Sequence, residues 1–108
     1  MGKASKRKGD GGERELLEIL QPYGEAHRNN QRYIGGHDNP DISFTCGHHR
    51  FHVESKRTER LNLRAAIRQA ERDAVEGKTP VVMHRRNREP WYVTLSLTNF
   101  LSILEVKK

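Results

Sequence analysis

Two stretches near the middle of the chain alternate between apolar and polar residues with a period of two. In the first, Ile42 and Phe44 face one way and Asp41, Ser43 and Thr45 the other. In the second, Phe51 and Val53 oppose Arg50, His52, Glu54 and Lys56. This period predicts two half-buried strands. Cys46-Gly47-His48-His49 between them is short enough for a tight antiparallel hairpin, with Gly47 available for a positive φ. Such a turn pairs position 45 with 50, 43 with 52 and 41 with 54.

Around this hairpin, residues 12–20 carry a helical pattern, with Asp10 as candidate cap and Pro22 and Gly24 as stops. Glu13, Leu17 and Leu20 share one face of that helix, while Glu15 and Glu18 fall on another. Residues 24–29 suit a short strand, leading into a polar loop from Asn29 to Asn39. Residues 61–76 repeat apolar positions at helical spacing (Leu63, Ala66, Ile67, Ala70, Ala74), with Asn62 as cap and Gly77 at the end. Val81–His84 and Trp91–Leu95 read as strands around the turn Asn87-Arg88-Glu89-Pro90, and Thr98 or Asn99 caps a closing helix, Phe100–Leu104. Helices and strands in this mixed order predict an α/β fold with a central mixed sheet flanked by helices.

Composition limits the rest. A chain of 108 residues is one domain, read as 10–108 behind a basic flexible arm, 1–9. It buries only around two-thirds of its unfolded surface. With 33% hydrophobic residues and a mean hydropathy of −0.93, the core is small and dimerisation would help it. A net charge of +6 and a pI near 9.8 favour a polyanionic partner such as nucleic acid. A single cysteine, Cys46, excludes an internal disulfide and fits a reducing compartment, the cytoplasm. No apolar run approaches the roughly 18 residues of a membrane span, and the basic amino terminus lacks the apolar stretch of a secretory signal.

The candidate chemistry lies on the polar side of the hairpin. Asp41 opposite Glu54 would place two β-carbons roughly 4.5–5.5 Å apart. Like charges so placed repel unless a hard cation with oxygen ligands, such as Mg2+, lies between them. Lys56, two residues on, is placed for a phosphate or an attacking water. The competing reading is a pair of solvated carboxylates on a polar sheet face. Glu13, in phase with an apolar stripe, is either a third carboxylate of this site or an acid favoured in a first helical turn. Arg60, Arg64, Arg68 and Arg72, four apart, line a helix edge about 18 Å long. Either phosphates or the neighbouring Glu59, Glu71, Asp73 and Glu76 neutralise them, and a salt-bridged solvated face is favoured. Cys46, His48, His49 and His52 follow no zinc-finger spacing, and the hairpin puts His52 on a different part of the surface from the turn, so a polar turn is favoured over a zinc site.

Pro40-Asp41 followed by Glu54-Ser55-Lys56 resembles the signature of the PD-(D/E)XK nuclease superfamily, whose core is restriction-endonuclease-like. The opening Lys8-Gly9-Asp10-Gly11-Gly12-Glu13-Arg14 is similar to that of archaeal-type Holliday junction resolvases. The similarity spans roughly residues 6–95. It implies a DNA endonuclease dependent on Mg2+, with Mn2+ able to substitute. Asp41, Glu54, the Ser55 main-chain carbonyl and Glu13 would hold the metal, and Glu13, Asp41, Glu54 and Lys56 would form the catalytic set. It also implies four-way or other branched DNA as substrate, in-line attack leaving a 5′-phosphate, and a homodimer with one site per strand. Lys6, Arg7, Lys8, Arg28, Arg32, Arg57, Arg60 and Arg64 are the candidate DNA contacts. Gln69 and His37 are weaker candidates at the site. The loop holding Gly35 and Gly36 and the early finish after Leu104 depart from the family. A nicking or restriction-like nuclease, and a basic DNA-binding module without activity, are the alternatives. A compact nuclease of this kind suits a prokaryote or a phage.

Overall fold

The computed structural model describes residues 2–28 and 40–105, with side chains from residue 11 onward. Its elements run α1 (Gly2–Leu20), a 3-10 turn (Gln21–Tyr23), β1 (Glu25–Arg28), β2 (Ile42–Cys46), β3 (His49–Arg57), α2 (Leu63–Asp73), β4 (Thr79–Arg85), β5 (Tyr92–Thr94) and α3 (Leu97–Leu104). The strands form one sheet in the order β1-β2-β3-β4-β5. β3 and β4 are parallel and every other pair is antiparallel. The parallel pair requires a crossover, and α2 supplies it.

The hairpin register is the expected one. Thr45 pairs with Arg50 and Ser43 with His52, around a turn in which Gly47 has φ 61°. Alternation then sorts the sheet into two faces. Ile42, Phe44, Val53, Val81 and Met83 pack with Leu16 of α1 and Ala26 of β1. Val82 packs on the other face, against Ala66 and Ala70 of α2. Each fully buried aliphatic side chain contributes about 1.5–3 kcal/mol.

Several boundaries differ from the expectation. α1 runs from Gly2, so Asp10 lies inside the helix and is not its cap; the expected arm continues the helical backbone. α2 is shorter than 61–76: Asn62 caps it by accepting from the Ala65 amide, and it ends in an extended Ala74. Gly77, with φ 92°, serves the turn that follows. α3 begins earlier than expected because Ser96, not Thr98 or Asn99, is its cap, accepting from the Asn99 amide. The loop 29–39, with Arg32 and His37, lies outside the described residues, as do the side chains of Lys6, Arg7 and Lys8.

Candidate active site

The polar side of the hairpin is solvated only in part. Arg50 is exposed near the turn, whereas under α2 His52 is fully buried and Glu54 only 3% exposed. Crossover topology is the cause: the helix between two parallel strands must lie over the sheet, here over the face carrying residues 52, 54 and 82. His52 Nε2 and Glu54 Oε1 lie 2.9 Å apart. Both belong to one strand, two residues apart, so the pairing is built into the pleat. A buried carboxylate needs such a partner, and His52 orients this one by its first oxygen.

Asp41 lies at the bend just before β2, where the register carries it opposite Glu54. Its Oδ2 accepts a 2.8 Å hydrogen bond from the Ser55 amide. Removal from water, then the charge of Glu54, raise the Asp41 pKa to about 7 from its ordinary 3.8, against the bond from Ser55. Glu13 adds to the rise and Lys56 opposes it, so all four charged groups share one electrostatic neighbourhood. The sequence placed these residues together, and the structure collects them at one end of β2 and β3.

Glu13 has a competing attachment. Arg28 of β1 donates to its Oε1 from Nε at 3.2 Å, and Nη2 forms an ion pair with the same oxygen at 3.1 Å. The expectation that Arg28 contacts DNA therefore meets a different role, holding Glu13 beside the site. Arg57 is half-buried, and its side chain packs against Gly11 and Gly12 of α1. A β-carbon at Gly12 would stand 2.9 Å from the Arg57 β-carbon, so only glycine lets α1 approach β3 here.

Glu15 is a structural residue that the sequence did not distinguish. Its carboxylate takes a forked pair of bonds from Arg85, at 2.7 and 3.0 Å, and a third from the Trp91 indole at 2.7 Å. The Arg85 guanidinium stands 5.8 Å from the Trp91 ring centre. Arg85 is the main cause of the lowered Glu15 pKa. This clamp fixes α1 to the far strand, across a separation of 70 residues that no local pattern reveals.

Arg60, Arg64, Arg68 and Arg72 are exposed. Among the described residues the row makes one ion pair, Arg72 with Asp73 at 3.7 Å. The expected salt-bridged face is therefore not formed. Cys46, His48 and His49 are exposed at the turn while His52 is buried beneath α2, which separates the four residues of the zinc reading. Gln69 is half-buried on α2.

Among the described residues no three His, Cys, Asp or Glu side chains converge as a metal cage. The donor set still fits Mg2+ or Mn2+. Such ions retain waters and take one or two carboxylates plus substrate oxygens. Here Asp41 is desolvated beside the buried Glu54 and the Ser55 backbone, and among the described residues no lysine or arginine is bonded to either carboxylate.

A search of solved structures returns the Hjc Holliday junction resolvase of the hyperthermophile Archaeoglobus fulgidus, with a TM-score of 0.60. The two chains share one fold. The likeness covers 80% of this chain and 75% of that one at 22% identity. The fold expected from the sequence, a central mixed sheet flanked by helices, is thus shown, and it is similar to the fold of this archaeal Holliday junction resolvase. No protein-family model and no curated protein matches the chain. Among the described residues no helix is long and apolar enough to cross a membrane.

Proposed function

We propose that this chain is a divalent-metal-dependent DNA endonuclease that cuts branched DNA, four-way junctions foremost. The observation that carries the reading is Asp41 beside the buried Glu54, with Lys56 next on the same strand face. Asp41, Glu54 and the Ser55 carbonyl would hold Mg2+ or Mn2+, with Glu13 farther out. Such an ion supplies charge neutralisation at the phosphate and lowers the pKa of bound water. Lys56 orients the phosphate and opposes the charge that grows on it. His52 and the Ser55 amide hold the two carboxylates in place. The exposed arginines Arg60, Arg64 and Arg68, with Lys6, Arg7 and Lys8 of the amino-terminal segment, receive the DNA backbone.

Paired cuts across a junction call for two sites, which a twofold dimer provides. α3 supports this reading. It carries no charged residue, and Leu97, Phe100, Leu101 and Leu104 are 45–71% exposed. In a chain of charge +6, an uncharged apolar face is where a second copy docks with least repulsion. The reading places the enzyme in the cytoplasm of a prokaryote or a phage-infected cell.

A nicking or restriction-like enzyme would use the same residues. The test is a cleavage panel in magnesium at matched salt: four-way junction, flap, single strand and linear duplex. The account expects the junction to be cut fastest. Equal cutting of linear and branched DNA would leave a nuclease and remove the resolvase.

A further inference from the structure

A second concave site lies beside the first. At the carboxyl ends of β3 and β4 a cavity of about 240 Å³ is walled by Leu61, Leu63, His84 and Tyr92, with Thr58 and Arg86 at its edge. The strand register places His84 directly opposite Lys56 on the same sheet face. Neighbouring strands are about 4.8 Å apart, so the cavity opens one strand away from the catalytic lysine. Its aromatic wall is preset. His84 Nε2 and Thr94 Oγ1 are 2.8 Å apart, and the imidazole lies 6.1 Å from the Tyr92 ring at 30°. Tyr92 is 53% exposed, so its ring remains accessible in part.

We propose that this cavity is a slot for one unstacked nucleobase adjoining the scissile phosphodiester. The inference rests on the nuclease reading and adds the feature of DNA that is recognised. A planar apolar ligand suits the walls, since leucine side chains and a tyrosine face accept a base of any sequence. The charged groups of the lining balance: the Arg85 guanidinium is committed to Glu15, and Arg86 stands with the Glu89 carboxylate, so the lining favours a neutral planar ligand over an anion. The volume is below the roughly 300–1,000 Å³ of drug-sized pockets, in keeping with one base. Extruding a base from intact duplex is costly, whereas a base at a branch, flap or mismatch is already free. The slot therefore converts shape into affinity, favouring DNA whose base beside the cut is unstacked.

The test uses the full chain carrying Glu54→Gln to prevent cutting, and a four-way junction with 2-aminopurine at the branch point. Tyr92→Leu removes the ring face and keeps bulk at an exposed position; Tyr92→Phe keeps the ring. The slot predicts a change of 2-aminopurine fluorescence on binding, retained in Tyr92→Phe and lost in Tyr92→Leu. Junction affinity should fall about 5- to 150-fold in Tyr92→Leu, the range for one stacked base, with linear duplex affinity unchanged. Junction binding and fluorescence in Tyr92→Leu equal to those with the ring intact would overturn the slot. If the chain with Glu54 intact still cuts DNA, the nuclease reading survives that result. A chain that neither binds nor cuts any DNA would remove both.

Discussion

His52 Nε2 and Glu54 Oε1 are 2.9 Å apart in a layer that solvent does not reach. With that oxygen committed to the histidine, the other is left for a cation. Replacing His52 by Leu would leave a buried carboxylate oxygen without its partner, at a cost of about 1–3 kcal/mol in stability. Loss of such an orienting contact typically weakens metal affinity about 10–100-fold. His52→Gln, which restores an amide donor, should recover part of both. Magnesium titration by calorimetry, with chemical denaturation, separates the effects. His52→Leu with unaltered magnesium affinity would deny the orienting role.

Asp41 provides a pH signature. Its pKa in the folded chain is about 7, against an ordinary value of 3.8, through desolvation first and Glu54 second. Between those values the folded chain holds a proton that the unfolded chain has lost. The contribution of this group to stability therefore falls as pH rises from 3.8 to about 7, and is level above. A divalent cation competes with the same proton. Magnesium should raise Tm more at about pH 8 than at about pH 6, a difference that Asp41→Asn abolishes. An equal rise at both pH values would contradict the assignment of Asp41 as a ligand.

Gly12 tests how α1 is seated. A β-carbon there meets Arg57 Cβ at 2.9 Å and Cδ at 3.3 Å, so Gly12→Ala forces the helix or the arginine to move. Overpacking of this kind costs about 1–3 kcal/mol. Because Glu13 follows directly, cleavage should fall beyond what the loss of folded protein explains. Rates corrected for the folded fraction, measured by circular dichroism, show the difference.

The α2 arginines should appear in the salt dependence of binding. If about 6–10 phosphates are contacted, affinity falls roughly 10³–10⁵-fold between about 50 and 200 mM salt. Arg64→Ala and Arg68→Ala should each reduce the slope of log affinity against log salt by about 1. Slopes unchanged by either substitution would remove α2 from the DNA interface.

The hairpin and its register were legible because a period of two, a short turn and Gly47 leave one pairing open. Asp41, Glu54 and Lys56 came with that register. What sequence did not carry was the third dimension. The alternation put His52 on the polar strand face with Glu54 but did not show that α2 roofs that end of it, so the buried pairing of the two was not legible. The Glu15, Arg85 and Trp91 clamp joins residues 70 and 76 positions apart, beyond any local period. Arg28 and Arg57 looked like DNA contacts from charge alone; packing turned one toward Glu13 and the other beneath Gly12. Caps were misplaced by two or three residues because serine, threonine and asparagine all compete for the start of α3.

The most direct test of the account is single-turnover cleavage of a four-way junction in magnesium by the wild-type chain and by Glu54→Gln. The account predicts paired cuts at symmetric positions on opposing strands for wild type. For Glu54→Gln it predicts cleavage reduced to background, with junction binding within a few-fold of wild type. Cleavage by a folded Glu54→Gln chain at a rate near that of wild type would contradict it.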